Sequence, residues 1–341
     1  MAHEWGHFIT AKKFGVKVNE FAVGMGPKIF HVKKGETLYS LRAFPIGGFC
    51  ALQGEESIEE SKYNDKDNID PKRSFKNKPA WQKAIIMIAG ITINFFVGII
   101  LSIILTFFGG DIQSNVISEI SGNYSDFSNS ETLKEGDEIV AINNYKIHVS
   151  RDIKYAIRVS DSNDFDIDVI RNGQLVKIRT SLVTEIPNEG SFMKINFATI
   201  DKNLFNVVRY AVADVMSILY SSINSTVRLI TGRLSMKNLS GPIGIASNVG
   251  KIASNDSCGD ALFKITSMMM AISIGLSVFN GFPIPALDGG RVLLLIPEIF
   301  TGKPVSDKIE MVINSVGLVL ILLLTVLIAY NDIRSWGTWY V

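Results

Sequence analysis

Residues 3–7 read His-Glu-Trp-Gly-His. Two histidines four apart lie on one face of a helix, so both imidazoles can reach one tetrahedral Zn²⁺. Glu4, beside the first histidine, can take a proton from water polarised by that metal. Two solvated histidines on a frayed terminus would give the same five letters. Catalytic zinc takes three protein ligands and keeps one open position, so a third ligand is needed. The best candidate is Asp288 in "NGFPIPALDGGRVLLL", which directly follows an apolar run. An aspartate there is expensive in lipid unless paired or metal-bound. The prolines break the preceding helix, and Gly289-Gly290 permit a turn with unusual φ. A loop aspartate capping a helix that starts near Arg291 fits the phrase equally well.

These residues need elements to position them. Ala84–Phe108 is 25 residues without a charge. At about 1.5 Å per residue it can cross a hydrocarbon core of about 30 Å. Met311–Tyr330 is a second such run, and Ile265–Phe282 a third. Hydrophobic residues make up 47% of the 341, and mean hydropathy is +0.24. Three apolar runs of this length point to a membrane protein rather than to buried core helices. The net charge of +1 marks no nucleic-acid partner. Residues 9–83 carry 14 Lys and Arg, whereas 109–263 carry 15 over about twice the length, which places the first segment on the cytoplasmic side. Cys50 and Cys258 then lie on opposite sides of the membrane and cannot pair. No secretory leader pattern precedes the histidines.

The segment 112–185 reads as a small water-facing domain. "DFDIDVIRNGQLVKIRTSL" alternates apolar and polar residues on both sides of Asn172-Gly173, a hairpin with a type I′ turn. Arg151–Val159 predicts a short helix with Ile153, Ala156 and Ile157 inward. "LKEGDEIVAINN" (133–144) resembles the PDZ-domain signature, without a clear Gly-Leu-Gly-Phe carboxylate-binding loop. Asn203–Ile230 is apolar but interrupted by Arg209, Asp214 and Arg228, which predicts a helix lying in the membrane interface.

Several phrases in the same order resemble the site-2 protease family of intramembrane zinc metalloproteases, in particular its bacterial branch of regulator-of-sigma-E-like proteases. They are "HEWGHFITAKKFGVKVNEFAVGMGPKIF" (3–30), "LRAFPIGGFCALQGE" (41–55), "RSFKNKPAWQKAIIMIAGITIN" (73–94), "LSGPIGIA" (239–246) and "NGFPIPALDGG" (280–290). The resemblance implies His3, His7 and Asp288 as Zn²⁺ ligands and Glu4 as general base. It implies Asn280 near the metal, holding substrate or oxyanion, and Asn94, in a Gly-x-x-x-Asn pattern with Gly90, near the site. A helix–helix hydrogen bond is an equal reading for Asn94. Gly47 and Gly48 end a β-rich stretch, 38–54, expected to offer an edge that an extended substrate joins as an added strand.

The expected fold is a polytopic α-helical membrane protein with an inserted small α/β PDZ-like domain and a membrane-associated β-hairpin region. The expected layout is a catalytic membrane segment at 1–110, the PDZ-like domain at 111–186, an interfacial helix and connector at 187–260, and a C-terminal membrane segment at 261–341. The resemblance further implies regulated cleavage of single-span substrates in the bacterial inner membrane. Such substrates are an anti-sigma factor or signal-peptide remnants, with the PDZ-like domain on the periplasmic or external side as a size filter. The family carries an apolar stretch before the first histidine, where only Met1 and Ala2 stand here. The expectation is therefore a natural product that begins further upstream, and poor zinc binding by the chain as written. The competing expectation is an inactive, truncated membrane protein that binds partners through its PDZ-like domain.

Overall fold

The computed structural model describes residues 1–55, 70–121, 133–160, 164–181, 194–232 and 241–335. Three helices among them are long and apolar enough to cross a membrane: α2 (Ala80–Phe108), α6 (Cys258–Gly281) and α8 (Asp307–Ser335). Each begins one to two turns before the apolar run seen in the sequence, and α8 also continues past its end. The chain divides into two contact units, Met1–Gly98 with Ser225–Val341, and Ile99–Asn224.

The first unit begins with α1 (Ala2–Lys13), followed by β1 (Val18–Lys34) and β2 (Thr37–Leu52). Both strands are long enough to be used twice. Lys28–Lys34 pair with Thr37–Arg42 as a hairpin, while Glu20–Val23 pair with Ala51–Gly48 on one side and with Leu38–Leu41, in rising register, on the other. The reversals fall at glycines in the left-handed region, Gly24 and Gly26 in β1 and Gly47 in β2. The strip 48–52 has no strand partner on its outer side among the described residues. Ala11, Val16, Val18, Leu52, Ile86 and Met87 close a core between α1, the sheet and α2.

The spans pack through small residues and buried hydroxyls. Ser273 and Ser277 of α6 donate to the Asn94 and Ile91 carbonyls of α2, at 2.8 and 2.9 Å. Gly98 of α2 receives Ile274. The "LSGPIGIA" phrase is described from Gly241 onward; residues 239 and 240 lie outside the described residues. From Pro242 it forms α5 (Pro242–Asn255). The first amides of α5 meet a carboxylate from α8: Gly241 and Gly244 N–H donate to Asp332 at 3.0 and 2.9 Å.

The second unit holds an antiparallel sheet in the order β7-β6-β4-β3-β8, with β5 paired to β4. Its strands are β3 (Ile112–Ser121), β4 (Glu138–Ile142), β5 (Tyr145–Lys146), β6 (Asp164–Arg171), β7 (Gln174–Ser181) and β8 (Lys194–Ile200). Asn172 and Gly173 both take positive φ, as the type I′ turn requires. Helix α3 (Ser150–Val159) buries Ile153 and Ala156 under the sheet, with Ile157 partly buried. The sheet continues past residue 186, because β8 pairs with β3. The Lys-Ile-Asn-Phe alternation of that strand is only four residues long, and it puts Ile195 and Phe197 against the core. Helix α4 (Leu204–Ile230) follows. Asp214, one of its three interrupting charges, is buried against Ser102 and Arg151.

Candidate metal centre

Helix α1 places His3 and His7 one turn apart, with their ring centroids 4.7 Å from each other. The third group comes from helix α7 (Asp288–Thr301), whose first residue is Asp288. His3 Nε2 and His7 Nε2 are 3.1 Å apart. Asp288 Oδ2 lies 2.9 Å from the first and 3.3 Å from the second. Among the described residues, these three are the one set of His, Cys, Asp and Glu groups that converges in this way.

Around a tetrahedral zinc with bonds near 2.0–2.2 Å, ligand atoms stand about 3.3 Å apart. The triangle fits that size. Its electronic state fits as well. The Ile86 carbonyl can only accept, so His7 Nδ1 donates to it at 2.8 Å. In a neutral ring that leaves the lone pair on Nε2, which faces the other two atoms. Asp288 Oδ2 is buried with no well-formed hydrogen bond among the described residues. Two imidazole nitrogens and a carboxylate oxygen converging in this way are the donor set that a bound cation would hold together.

Local sequence explains the approach. An added Cβ on Gly6 would stand 2.5 Å from the Ala89 carbonyl oxygen, so α1 and α2 touch backbone to backbone. On Gly90 it would meet His7 Nε2 at 2.5 Å and His3 Cε1 at 2.7 Å. Only glycine lets α2 press against both rings. On the other side, Gly289 and Gly290 sit against the carbonyls of Phe282 and Ile284. The glycine pair therefore serves close packing rather than an unusual φ. The left-handed residue is Ala286 (φ 71), whose N–H donates to Asn314 Oδ1 at 3.3 Å.

Glu4 is partly buried and interacts electrostatically with His3, His7 and Asp288. Asn280 brings its Nδ2 to 3.4 Å from His3 Nε2. Asn94, one turn beyond Gly90 on α2, is 4% exposed, and its Nδ2 has no hydrogen-bond partner among the described residues. Gly47 and Gly48 stand apart from the triangle, in the sheet. A Cβ on Gly48 would lie 2.6 Å from the Ala22 carbonyl and 3.0 Å from Met1 Sδ, so this strip passes the start of α1. The Ile86 carbonyl was not foreseeable, because a backbone acceptor leaves no mark in a sequence.

The sequence profile described as "Peptidase family M50" matches residues 1–324. A protein of Fusobacterium nucleatum that carries the provisional name of a zinc metalloprotease is 32% identical over 334 residues, covering 97% of this chain and 94% of the relative. One of Clostridium acetobutylicum with the same provisional name is 32% identical, covering 98% and 93%. The regulator of sigma-W protease RasP of Bacillus subtilis is 26% identical over 407 aligned residues, covering 97% and 94%.

Proposed function

The chain belongs to peptidase family M50 and is a metalloprotease of the membrane, and from that premise we propose that it cuts peptide bonds inside the membrane-spanning segments of other proteins. The observation that carries this reading is the convergence of His3 Nε2, His7 Nε2 and Asp288 Oδ2 within 2.9–3.3 Å beside three helices of membrane-crossing length. These residues hold Zn²⁺, which when bound supplies a Lewis acid that polarises a carbonyl and acidifies water. Glu4 takes the proton of the attacking water and hands it to the leaving amine. Asn280 Nδ2, beside His3, donates to the substrate carbonyl or to the oxyanion it becomes. Asn94 brings a second buried amide from α2, free to donate to the extended substrate. The open edge at Gly47, Gly48 and the residues after them pairs with that substrate as an added strand, which holds its backbone unwound for attack.

The substrates are single-span proteins such as an anti-sigma factor or signal-peptide remnants. The name of the Bacillus subtilis relative, a sigma-W regulator, supports that class. The location is the bacterial inner membrane, with residues 9–83 cytoplasmic by their density of basic residues. The sheet of β3–β8 is the PDZ-like domain on the external side, where it admits substrates already trimmed. Helix α4 lies in the interface with its exposed row Val208, Val212, Met216 and Tyr220 towards lipid.

The test is zinc content and cleavage of a single-span substrate by the purified chain in detergent. His7→Ala is expected to lose the zinc. Glu4→Gln is expected to keep it and to cut about 10²–10⁴-fold more slowly. Absence of zinc even when an apolar extension is added before Met1, or a Glu4→Gln variant that cuts at the original rate, removes the assignment.

A further inference from the structure

Helix α7 carries the only metal-site residue that lies outside α1, and apart from Val292, which packs partly buried on the core between α1 and α2, little apolar packing holds it. Gly290 is its one buried residue. Leu293, Ile296, Ile299 and Phe300 are all exposed. The other side of the helix is a stripe at spacing 3, 4, 3: Asp288, Arg291, Leu295 and Glu298. Every charged group on that stripe meets a partner from the first 98 residues. Asp288 faces His3 and His7, the Arg291 guanidinium donates to the Glu55 carboxylate, and Glu298 takes Lys83 Nζ on both oxygens at 2.8 and 3.0 Å.

Lys83 is 4% exposed and lies on α2, three residues before Ile86. The Ile86 carbonyl is the group that fixes the His7 ring. One short piece of α2 therefore aims a histidine through Ile86 and ties down the aspartate's helix through Lys83. The four charges of these two pairs also line one cavity of about 320 Å³, with Met87, Ala286 and Asn314. In an apolar surround an ion pair is directional, and removing one partner leaves the other charge buried and unpaired.

We propose that Lys83–Glu298 and Arg291–Glu55 are positioning pairs that set Asp288 against the two histidines, so that metal affinity depends on four charged groups that never touch the metal. The inference rests on the metal-site reading above. Lys83–Glu298 acts through the position of α7, because no contact joins it to the triangle's atoms among the described residues, whereas Arg291 also interacts electrostatically with Asp288 itself.

The experiment measures the zinc dissociation constant of the full chain in detergent by competition with a chromogenic chelator. Four forms are compared: the unaltered chain, His7→Ala, Glu298→Gln, and the exchanged pair Lys83→Glu with Glu298→Lys. Glu298→Gln is expected to bind zinc about 10- to 100-fold more weakly, as is typical when a group behind a metal ligand is lost. Its cleavage of substrate should recover in excess zinc, which a folding defect would not do. The exchanged pair should regain at least tenfold of the lost affinity. Glu298→Gln within twofold of the unaltered chain, or an exchanged pair no better than Glu298→Gln, overturns the proposal. If Glu298→Gln does not accumulate, the exchanged pair decides: near-original affinity supports the proposal, and absence of the protein or of zinc binding overturns it. Failure of the metal-site reading looks different, since then the unaltered chain and His7→Ala bind zinc alike.

Discussion

Both contact units bury apolar residues, and they differ in what stands beside that core. In the unit Ile99–Asn224, the sheet and α3 enclose Ile117, Ile139, Ile142, Phe165, Ile167, Val169 and Ile178. Around the candidate metal centre the buried groups include His7, Lys83, Asn94 and Ser277, while Ile85, Ile88 and Phe96 of α2 face outward. Leu175 on β7 and Leu323 on α8 are 60% and 56% exposed, so exposure alone does not separate them. The solvent does. A water-facing fold gains by hiding apolar area, whereas in lipid there is no such gain, and polar groups find their partners inside.

Four substitutions sharpen or break that contrast. The largest effect is expected for Phe165→Ala, which empties the centre of the sheet's core and costs about 3–5 kcal/mol. Faster hydrogen exchange at the β4 and β6 amides, with unchanged zinc affinity, is the expected result. Lost zinc binding would mean that the two units are not energetically separate. Next come the two exposed leucines. Leu323→Arg should oppose insertion of α8 by about 3 kcal/mol. Leu175→Arg should change stability by less than about 0.5 kcal/mol. Equal yields of the two variants in membranes would remove the lipid reading of α8.

The last test concerns Asp137. Burial works against its charge, but the Arg171 guanidinium at 2.7 and 2.8 Å and the Lys134 amide at 2.8 Å outweigh it and hold its carboxyl below the usual value. A carboxyl with a lower pKa folded than unfolded stabilises fully above the unfolded value of about 3.9, and that contribution fades as pH falls through the folded value. Protection of the β4 and β6 amides should therefore drop below about pH 4, and Arg171→Gln should flatten the dependence. An unchanged profile in Arg171→Gln would locate the acid sensitivity elsewhere.

Much of this was legible in the sequence where one element decides its own form. The spans announce themselves by length, the hairpin by Asn172-Gly173, and α3 by its apolar spacing. The β8 strand was not, because "KINFATI" acquires its role only by pairing with β3, roughly seventy to ninety residues earlier. The doubled use of β1 and β2 was hidden for the same reason. It depends on left-handed turns at Gly24, Gly26 and Gly47, whose letters do not say which way the strand will fold back. Arg291 and Glu298 gave a faint signal as lone charges in an apolar stretch, but nothing in their spacing named Lys83 or Glu55.

The sequence by itself determined that His3 and His7 share a helix face with Glu4 between them, because the 3.6-residue turn imposes it wherever a helix forms. Whether a third ligand completes that pair depended on the packing of α1, α2 and α7. Gly6 and Gly90 let two helices touch, a tight Ala286 turn starts α7 at Asp288, and buried charges fix its rotation. Those contacts join residues as much as 285 positions apart, from 3 to 288, and a separation of 2.9 Å over that interval is set by side-chain volumes and partners that no local pattern encodes.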